Sequence, residues 1–217
     1  LDGAHAGEVA RLGGMMRYRT PQGTGPGPLS PRAVFAVHGG HVYVGETLTP
    51  AIRVYDAAGR QTREIAWEAR PSESPDRAFA AVVDEAVARR GSAGADATRQ
   101  RLEAFPVPDR VSVFWDVIVD DLGFVWVRPY EPELHSVELG GAMMGGAGPG
   151  GDWLIFSPEG SAVGSVTMPP TLEPRQITRD AVVGIETDDF GVELVRVHAL
   201  TRWNPAGEQE AGWRSDG

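Results

Sequence analysis

The fold is decided by residues 42–67, which read VYVGETLTPAIRVYDAAGRQTREIAW. Three apolar stretches rich in β-branched and aromatic residues alternate there with short polar segments that contain glycine or proline. Stretches of this length bounded by turn residues predict β-strands. Asp56 and Gly59 mark a tight turn between the last two strands, because Asp hydrogen-bonds the turn backbone and Gly adopts a positive φ at low cost. We therefore predict an antiparallel meander over this stretch.

The same order of elements recurs along the chain. A clean apolar alternation over residues 111–121 leads into strands at 124–128, 153–156 and 163–168, and an incomplete third unit covers 175–200. Meanders repeated in series are typical of a β-propeller, in which each meander is one blade. We predict an all-β propeller of which about three blades are present, the last of them without a fourth strand.

Composition excludes several classes of function. The chain has 217 residues, and its 20 basic and 30 acidic side chains give a net charge of −10, which repels nucleic acid from most of the surface. The absence of cysteine excludes disulfides, thiolate zinc sites and cysteine nucleophiles. No apolar run approaches the 18 residues or so of a membrane-spanning helix. We predict neither nucleic-acid binding nor a transmembrane segment.

One region departs from the strand pattern. Residues 74–105 begin with Ser-Pro-Asp, which suits a helix N-terminus, and carry apolar residues at helical spacing from Phe79 onward. We predict a small helical insertion between two blades. The propeller segment with this insertion covers residues 1–203, and residues 204–217 form a polar tail. The proline- and glycine-rich residues 20–31 are predicted to form a loop.

Four stretches carry a resemblance to a known group. They are VYVG with IRVYDAAGR at 42–60, VDDLGFVWVRPY at 119–130, WLIFSPEGSAVGSVTMP at 153–169, and a final pattern of V-x-G, D-x-x-G-V-E and V-R over 183–202. In these stretches the chain resembles the six-bladed β-propeller proteins of bacteria, related in shape to the TolB and NHL-repeat propellers. The resemblance covers most of residues 33–202.

The resemblance also has implications for the rest of the protein, its cellular location and its function. Six blades need more chain than 217 residues, so this segment is expected to be the C-terminal portion, with N-terminal blades completing the ring. An extracytoplasmic location, in the periplasm or as a lipoprotein, is implied as well. Because propellers host unrelated activities, the resemblance does not identify a reaction. We therefore predict a non-enzymatic binding or scaffold module for a protein or small-molecule ligand that the sequence does not identify.

The alternative function is a metal-dependent hydrolase of lactones or esters. It would use acids near the inner strand, from Asp116 to Glu131, with a divalent ion as its cofactor. Propeller hydrolases of the gluconolactonase type use such channel carboxylates. Asp120 and Asp121 also fit a plain hairpin turn, where acids are common. We assign no catalytic residue and, under the main prediction, no cofactor.

The remaining site residues are weaker candidates. Asp116, Arg128, Tyr130 and Glu131 are predicted to line the mouth of a central channel and to contact a ligand. The pair His38 and His41 has a metal-like spacing, but zinc needs further donors that are not nearby in sequence. We therefore interpret the histidines as part of a turn and predict no metal ligand.

Overall fold

The computed structural model describes residues 7–21, 23–69, 74–90, 93–132, 150–188 and 192–202. These residues are mostly β-structure with two helices, as the sequence predicts. The elements are β1 Arg17–Thr20, β2 Gly23–Pro26, β3 Ala33–His38, β4 His41–Glu46, β5 Ala51–Tyr55, β6 Gln61–Ala66, α1 Pro75–Arg90, α2 Ala95–Glu103, β7 Phe114–Val119, β8 Val125–Pro129, β9 Gly151–Phe156, β10 Ala162–Met168, β11 Leu172–Ile177, β12 Ala181–Thr187 and β13 Glu193–Ala199.

The described strands form four antiparallel sheets in which neighbours in sequence are neighbours in space. The first sheet has the order β3-β4-β5-β6, the middle sheet β7-β8-β9-β10 and the last sheet β11-β12-β13, while β1 and β2 form a separate ribbon. All pairings are antiparallel. The predicted meanders are therefore confirmed as sheets.

The three larger sheets are stacked face to face. One core cluster joins the first sheet to the middle sheet, and its most buried members include Ile52, Val54, Phe114 and Val127. A second cluster joins the middle sheet to the last sheet and includes Trp126 of β8. The first strands of these sheets lie side by side, β3 beside β7 and β7 beside β11. The middle sheet is thus buried on both faces.

Several hairpins share one turn. In the β5–β6 turn, Oδ1 of Asp56 accepts hydrogen bonds from the N–H groups of Ala58 and Arg60, and Gly59 has a φ of 76°. The β7–β8 turn repeats this arrangement around Asp120, and a serine hydroxyl takes the same role after β9. A carboxylate or hydroxyl oxygen that satisfies two turn N–H groups explains why this residue stands first in the turn.

The helices form a core of their own. They lie within the predicted range 74–105, and Phe79, Val82 and Val83 of α1 pack with Leu102 of α2. Leu29, close after the β1–β2 ribbon, belongs to the same cluster. In sequence, the two helices lie between β6 and β7, so they separate the first sheet from the middle sheet along the chain.

The ribbon itself corrects a prediction. Residues 20–31 were expected to form a loop, yet β2 occupies 23–26 and pairs with β1. Proline is tolerated because each strand of a two-stranded ribbon is an edge strand, where one side needs no ladder donor. The predicted tail at 204–217 and most of the glycine-rich stretch 140–151 lie outside the described residues.

Candidate ligand-binding site

Charged side chains gather where the first strands of the three stacked sheets begin. The residues that we name the inner-edge cluster are Arg32, Asp116, Arg128, Glu131, Glu173 and Arg175. Arg32 directly precedes β3, and Asp116 lies on β7. Arg128 is near the end of β8, Glu131 follows that strand, and the last two lie on β11. The antiparallel order brings strand starts and ends together at this end of the sheets.

Asp116 and Arg128 form the centre of the cluster. They are direct partners in the β7–β8 register, so their side chains share one face of the middle sheet. An irregularity between Phe114 and Asp116 places an extra residue, Trp115, in β7 and re-aims its side chain. Arg128 is 1% exposed, which is unusual for a cation and calls for nearby acids.

Arg32 is fixed against the bulge. Its Nε and Nη2 donate to the carbonyl oxygen of Trp115 at 3.2 and 2.7 Å, and its guanidinium carbon lies 3.9 Å from the centre of the indole. Thr47 holds the Arg32 backbone, because its hydroxyl accepts the Arg32 N–H at 3.0 Å and its own N–H donates back to Arg32. The Thr47 hydroxyl also bonds Ser112 at 2.9 Å. This buried hydroxyl pair ties three chain segments together behind the cluster.

Acids complete the cluster on its other side. A Cβ atom built on Gly151 would lie 3.4 Å from Nη2 of Arg128 and 3.5 Å from Oε1 of Glu131, so these two groups flank the glycine. Glu173 pairs with Arg175 at 3.0 Å. The arrangement therefore offers three guanidinium groups and three carboxylates within a short distance of each other.

Burial shifts the titration of this cluster. It raises the pKa of the Asp116 carboxyl above its ordinary value, against an opposing hydrogen bond from the Val117 N–H and the cluster's guanidinium groups. Burial likewise raises the pKa of Glu173, and it lowers the pKa of Arg128, which the neighbouring carboxylates partly oppose. The protein thus keeps charges of both signs in a place that disfavours charge.

Tyr130 lies between the cluster and the helices. Its ring is 5.8 Å from the ring of Trp115, and it packs against the core cluster of the helical layer. Burial raises the pKa of its phenol, so the hydroxyl is neutral at physiological pH. Tyr130 therefore contacts both the bulge residue Trp115 and the helical layer.

The four predicted ligand contacts thus lie in one region. The structure places Asp116, Arg128 and Glu131 together and Tyr130 beside them; whether they bind a ligand stays a prediction. Sequence reasoning missed Arg32, Glu173 and Arg175. Their signal is a charged residue next to a proline at the start of an apolar strand, a pattern seen at 31–32 and 173–175.

Other candidate acids and histidines have structural contacts. Asp120 is fully buried: its Oδ1 accepts two turn N–H groups, and its Oδ2 accepts from the Trp126 indole at 2.9 Å and from Arg202 at 2.7 Å. His38 and His41 face each other across the β3–β4 hairpin. Within the described ranges, no group of three or more His, Asp or Glu side chains is arranged to hold a metal ion.

Comparison with known proteins adds no assignment. No protein-family model matches the sequence, and no curated protein is detectably similar to it. In the part of the chain that the structure describes, neither helix has the length and apolar character needed to cross a bilayer.

Proposed function

We propose that this chain forms three consecutive blades of a β-propeller and acts as a non-enzymatic binding module. The support for the architecture is the serial order of the meanders and the adjacency of their first strands, β3, β7 and β11. In a propeller the first strand of each blade lines the central axis. The inner-edge cluster then lies at one mouth of the channel.

The observation that carries the binding proposal is the convergence of buried charge on those strands. Maintaining Arg128 and Asp116 away from water costs folding free energy, and a bound ligand with charged groups recovers part of that cost. Guanidinium groups bind carboxylates and phosphates in a forked geometry, and the neighbouring acids accept from amines or hydroxyls. The expected ligand is therefore a small polar molecule or peptide group that carries both an anionic group and a hydrogen-bond donor such as an amine or hydroxyl.

The acids of the hydrolase alternative lie in different environments. Asp116 lies in the field of three guanidinium groups, which favour its carboxylate form and oppose the burial that raises its pKa. Asp120, another acid of the hydrolase alternative, has both oxygens engaged by N–H donors and lies beyond the opposite end of β7. A catalytic base must be able to accept a substrate proton, so Asp120 is a poor candidate and the hydrolase alternative would depend on Asp116 and Glu131.

Tryptophan fluorescence tests the proposal, because Trp115 and Trp153 lie beside the cluster guanidinium groups. The probes are a panel of dicarboxylates, sugar phosphates and dipeptides. We expect at least one class to change the emission and to bind at least tenfold more weakly to Arg128→Met, a loss of about 1.4 kcal/mol.

Two further variants make the result decisive. Arg175→Met removes a mostly exposed cluster charge and avoids any folding defect of the buried position, and Arg60→Met changes an exposed arginine on a distant hairpin as the control. If Arg128→Met and Arg175→Met both bind the probe as tightly as the unmodified protein and the control Arg60→Met do, the site is refuted. Hydrolysis of a lactone or ester that needs a divalent ion and is lost in Asp116→Asn supports the enzyme alternative instead.

The cell-envelope location follows from the family resemblance and is part of the proposal. A signal peptide or lipid-attachment motif in the coding sequence upstream of residue 1 supports this location. An upstream N-terminus that carries neither signal contradicts it.

A further inference from the structure

Arg32 keeps part of its hydrogen-bonding capacity. A guanidinium group has five N–H donors in one plane. Nε and Nη2 of Arg32 use one side of this plane, where both donate to the carbonyl oxygen of Trp115. Among the described residues, the end of the guanidinium formed by Nη1 and the second Nη2 hydrogen has no acceptor. That end is a fork of two donors, which matches the two oxygens of a carboxylate.

The orientation of this fork is fixed before any ligand arrives. The guanidinium carbon of Arg32 lies 3.9 Å from the centre of the Trp115 indole, and Trp115 itself is 7% exposed. Tyr130 contacts the same indole and holds it in place. Arg32 is half-buried, so its outer end still reaches solvent. A group that is already held in one position loses little side-chain entropy when it binds a ligand.

Asp116 has open capacity of the opposite kind. The carbonyl oxygen that accepts from Arg32 belongs to the peptide bond directly before Asp116, so the two side chains lie close together. Oδ1 of Asp116 accepts the Val117 N–H at 2.9 Å, and Oδ2 has no donor within the described part of the chain. Each group lies in the field of the other, but no hydrogen bond or ion pair joins them there. An open acceptor thus lies near an open donor fork without contacting it.

The other charges of the cluster have partners within it. Glu173 pairs with Arg175 at 3.0 Å, and the Glu131 carboxylate is the first of the charges that oppose the desolvation of Arg128. The three guanidinium groups and three carboxylates balance, while the whole chain carries a net charge of −10. A phosphate dianion would therefore leave excess negative charge in a partly buried place. A ligand with one charge of each sign would not.

We propose that the inner-edge cluster binds a zwitterion, whose carboxylate contacts the donor fork of Arg32 and whose ammonium group contacts Oδ2 of Asp116. Free α-amino acids and short peptides with unblocked termini both carry this pair of groups. The inference rests on the proposed function and narrows its ligand to this class. It also assigns the ligand's anion to Arg32 rather than to the more deeply buried Arg128.

Blocked probes test the two contacts separately. Isothermal titration calorimetry with the standard amino acids and a set of dipeptides identifies the tightest binder and shows whether one residue or two span the site. That probe is then compared with its C-terminal amide and with its N-acetyl derivative. We expect each blocked form to bind more weakly by about tenfold or more, because each loses one charged contact.

Two variants connect these contacts to the protein. Arg32→Gln should bind the free acid and the amide with equal affinity and still prefer the free amine. Asp116→Asn should lose the preference for the free amine and keep the preference for the free acid. Arg63→Gln is the matched control, because Arg63 also lies over an aromatic ring but on β6, the strand of the first sheet farthest from β3.

The ratio of the two affinities separates ligand contact from a structural role. If Arg32 only braces the bulge, its replacement weakens every probe by the same factor and leaves the ratio of acid to amide affinity unchanged, and the inference is wrong. If Arg32→Gln does not fold, Asp116→Asn decides in the same way through the ratio of free-amine to N-acetyl affinity.

The absence of binding by every amino acid and dipeptide also overturns the inference. Dicarboxylates or sugar phosphates that bind in that case, and bind more weakly to Arg128→Met, leave the proposed function standing. The proposed function itself fails only when no class of probe depends on the cluster.

Discussion

Replacement of Arg202 by methionine is expected to loosen the last sheet from the middle sheet. Nη2 of Arg202 donates to Oδ2 of Asp120 at 2.7 Å and to the Thr178 carbonyl oxygen at 2.8 Å. Its guanidinium also lies 5.4 Å from the ring centre of Phe124 and 5.8 Å from that of Trp126. One side chain thus joins the end of the last sheet to the first hairpin of the middle sheet.

The size of the effect follows from the burial of Asp120, which is fully buried while Arg202 is 23% exposed. Loss of one partner from a buried ion pair costs about 3–5 kcal/mol. Three N–H donors still contact the carboxylate after the substitution, so we take the lower end, about 3 kcal/mol. For a chain of this length that corresponds to a fall in Tm of about 6–12 °C.

Urea and thermal unfolding followed by circular dichroism measure this change. The control is Arg60→Met, which removes an arginine from the Asp56 carboxylate at 2.7 Å in a hairpin turn of the same type. Arg60 is 81% exposed, so solvent screens the pair and little stability should be lost. A Tm that falls equally in both variants, or in neither, would refute the assignment of Arg202 as the link between the sheets.

Two further predictions concern packing and charge. Gly184→Ala should lower stability by about 1–3 kcal/mol, because its Cβ would collide with the carbonyl oxygen of Glu173, whereas Gly164→Ala faces open space and should be tolerated; equal thermal shifts would contradict this. The folded-state pKa of Asp116 is raised, so its ionisation costs stability as the pH rises above the unfolded value of about 4. The Tm of Asp116→Asn should therefore rise relative to that of the unmodified protein between about pH 4 and neutrality. A Tm difference between the two proteins that becomes smaller as the pH rises would contradict the prediction.

The sheets could be predicted from sequence because their signals are local. The 42–67 stretch contains its own strands and turn, and the turn of Asp56 and Gly59 needs only neighbouring N–H groups. The stacking of the sheets could not be predicted in this way. The apolar alternation of a strand indicates that one face is buried, but it does not indicate which sheet covers that face. The exposed Val195 and the buried Ile52 have the same kind of sequence surroundings.

The candidate site was predictable in part for the same reason. Asp116 and Arg128 follow from the β7–β8 hairpin, whose register is set by a short turn. Arg32 and Glu173 enter from strands far away in the chain, and no local pattern brings them to the hairpin. The bulge at Trp115, where Arg32 contacts both the carbonyl oxygen and the indole, is also a property of the paired strands rather than of either sequence alone.

The distribution of carboxylates argues for one functional end of the sheets. At the turn end of β7 and in the equivalent β5–β6 hairpin, Asp120 and Asp56 accept backbone N–H groups, so these acids serve the fold. At the opposite end, Asp116 is held among guanidinium groups at a cost in desolvation. The local hydrogen bonds of the turn carboxylates give these acids a structural role. The inner-edge cluster closes no turn, and its partly buried charges of both signs come from segments of all three sheets, which is why we propose that a ligand contacts it.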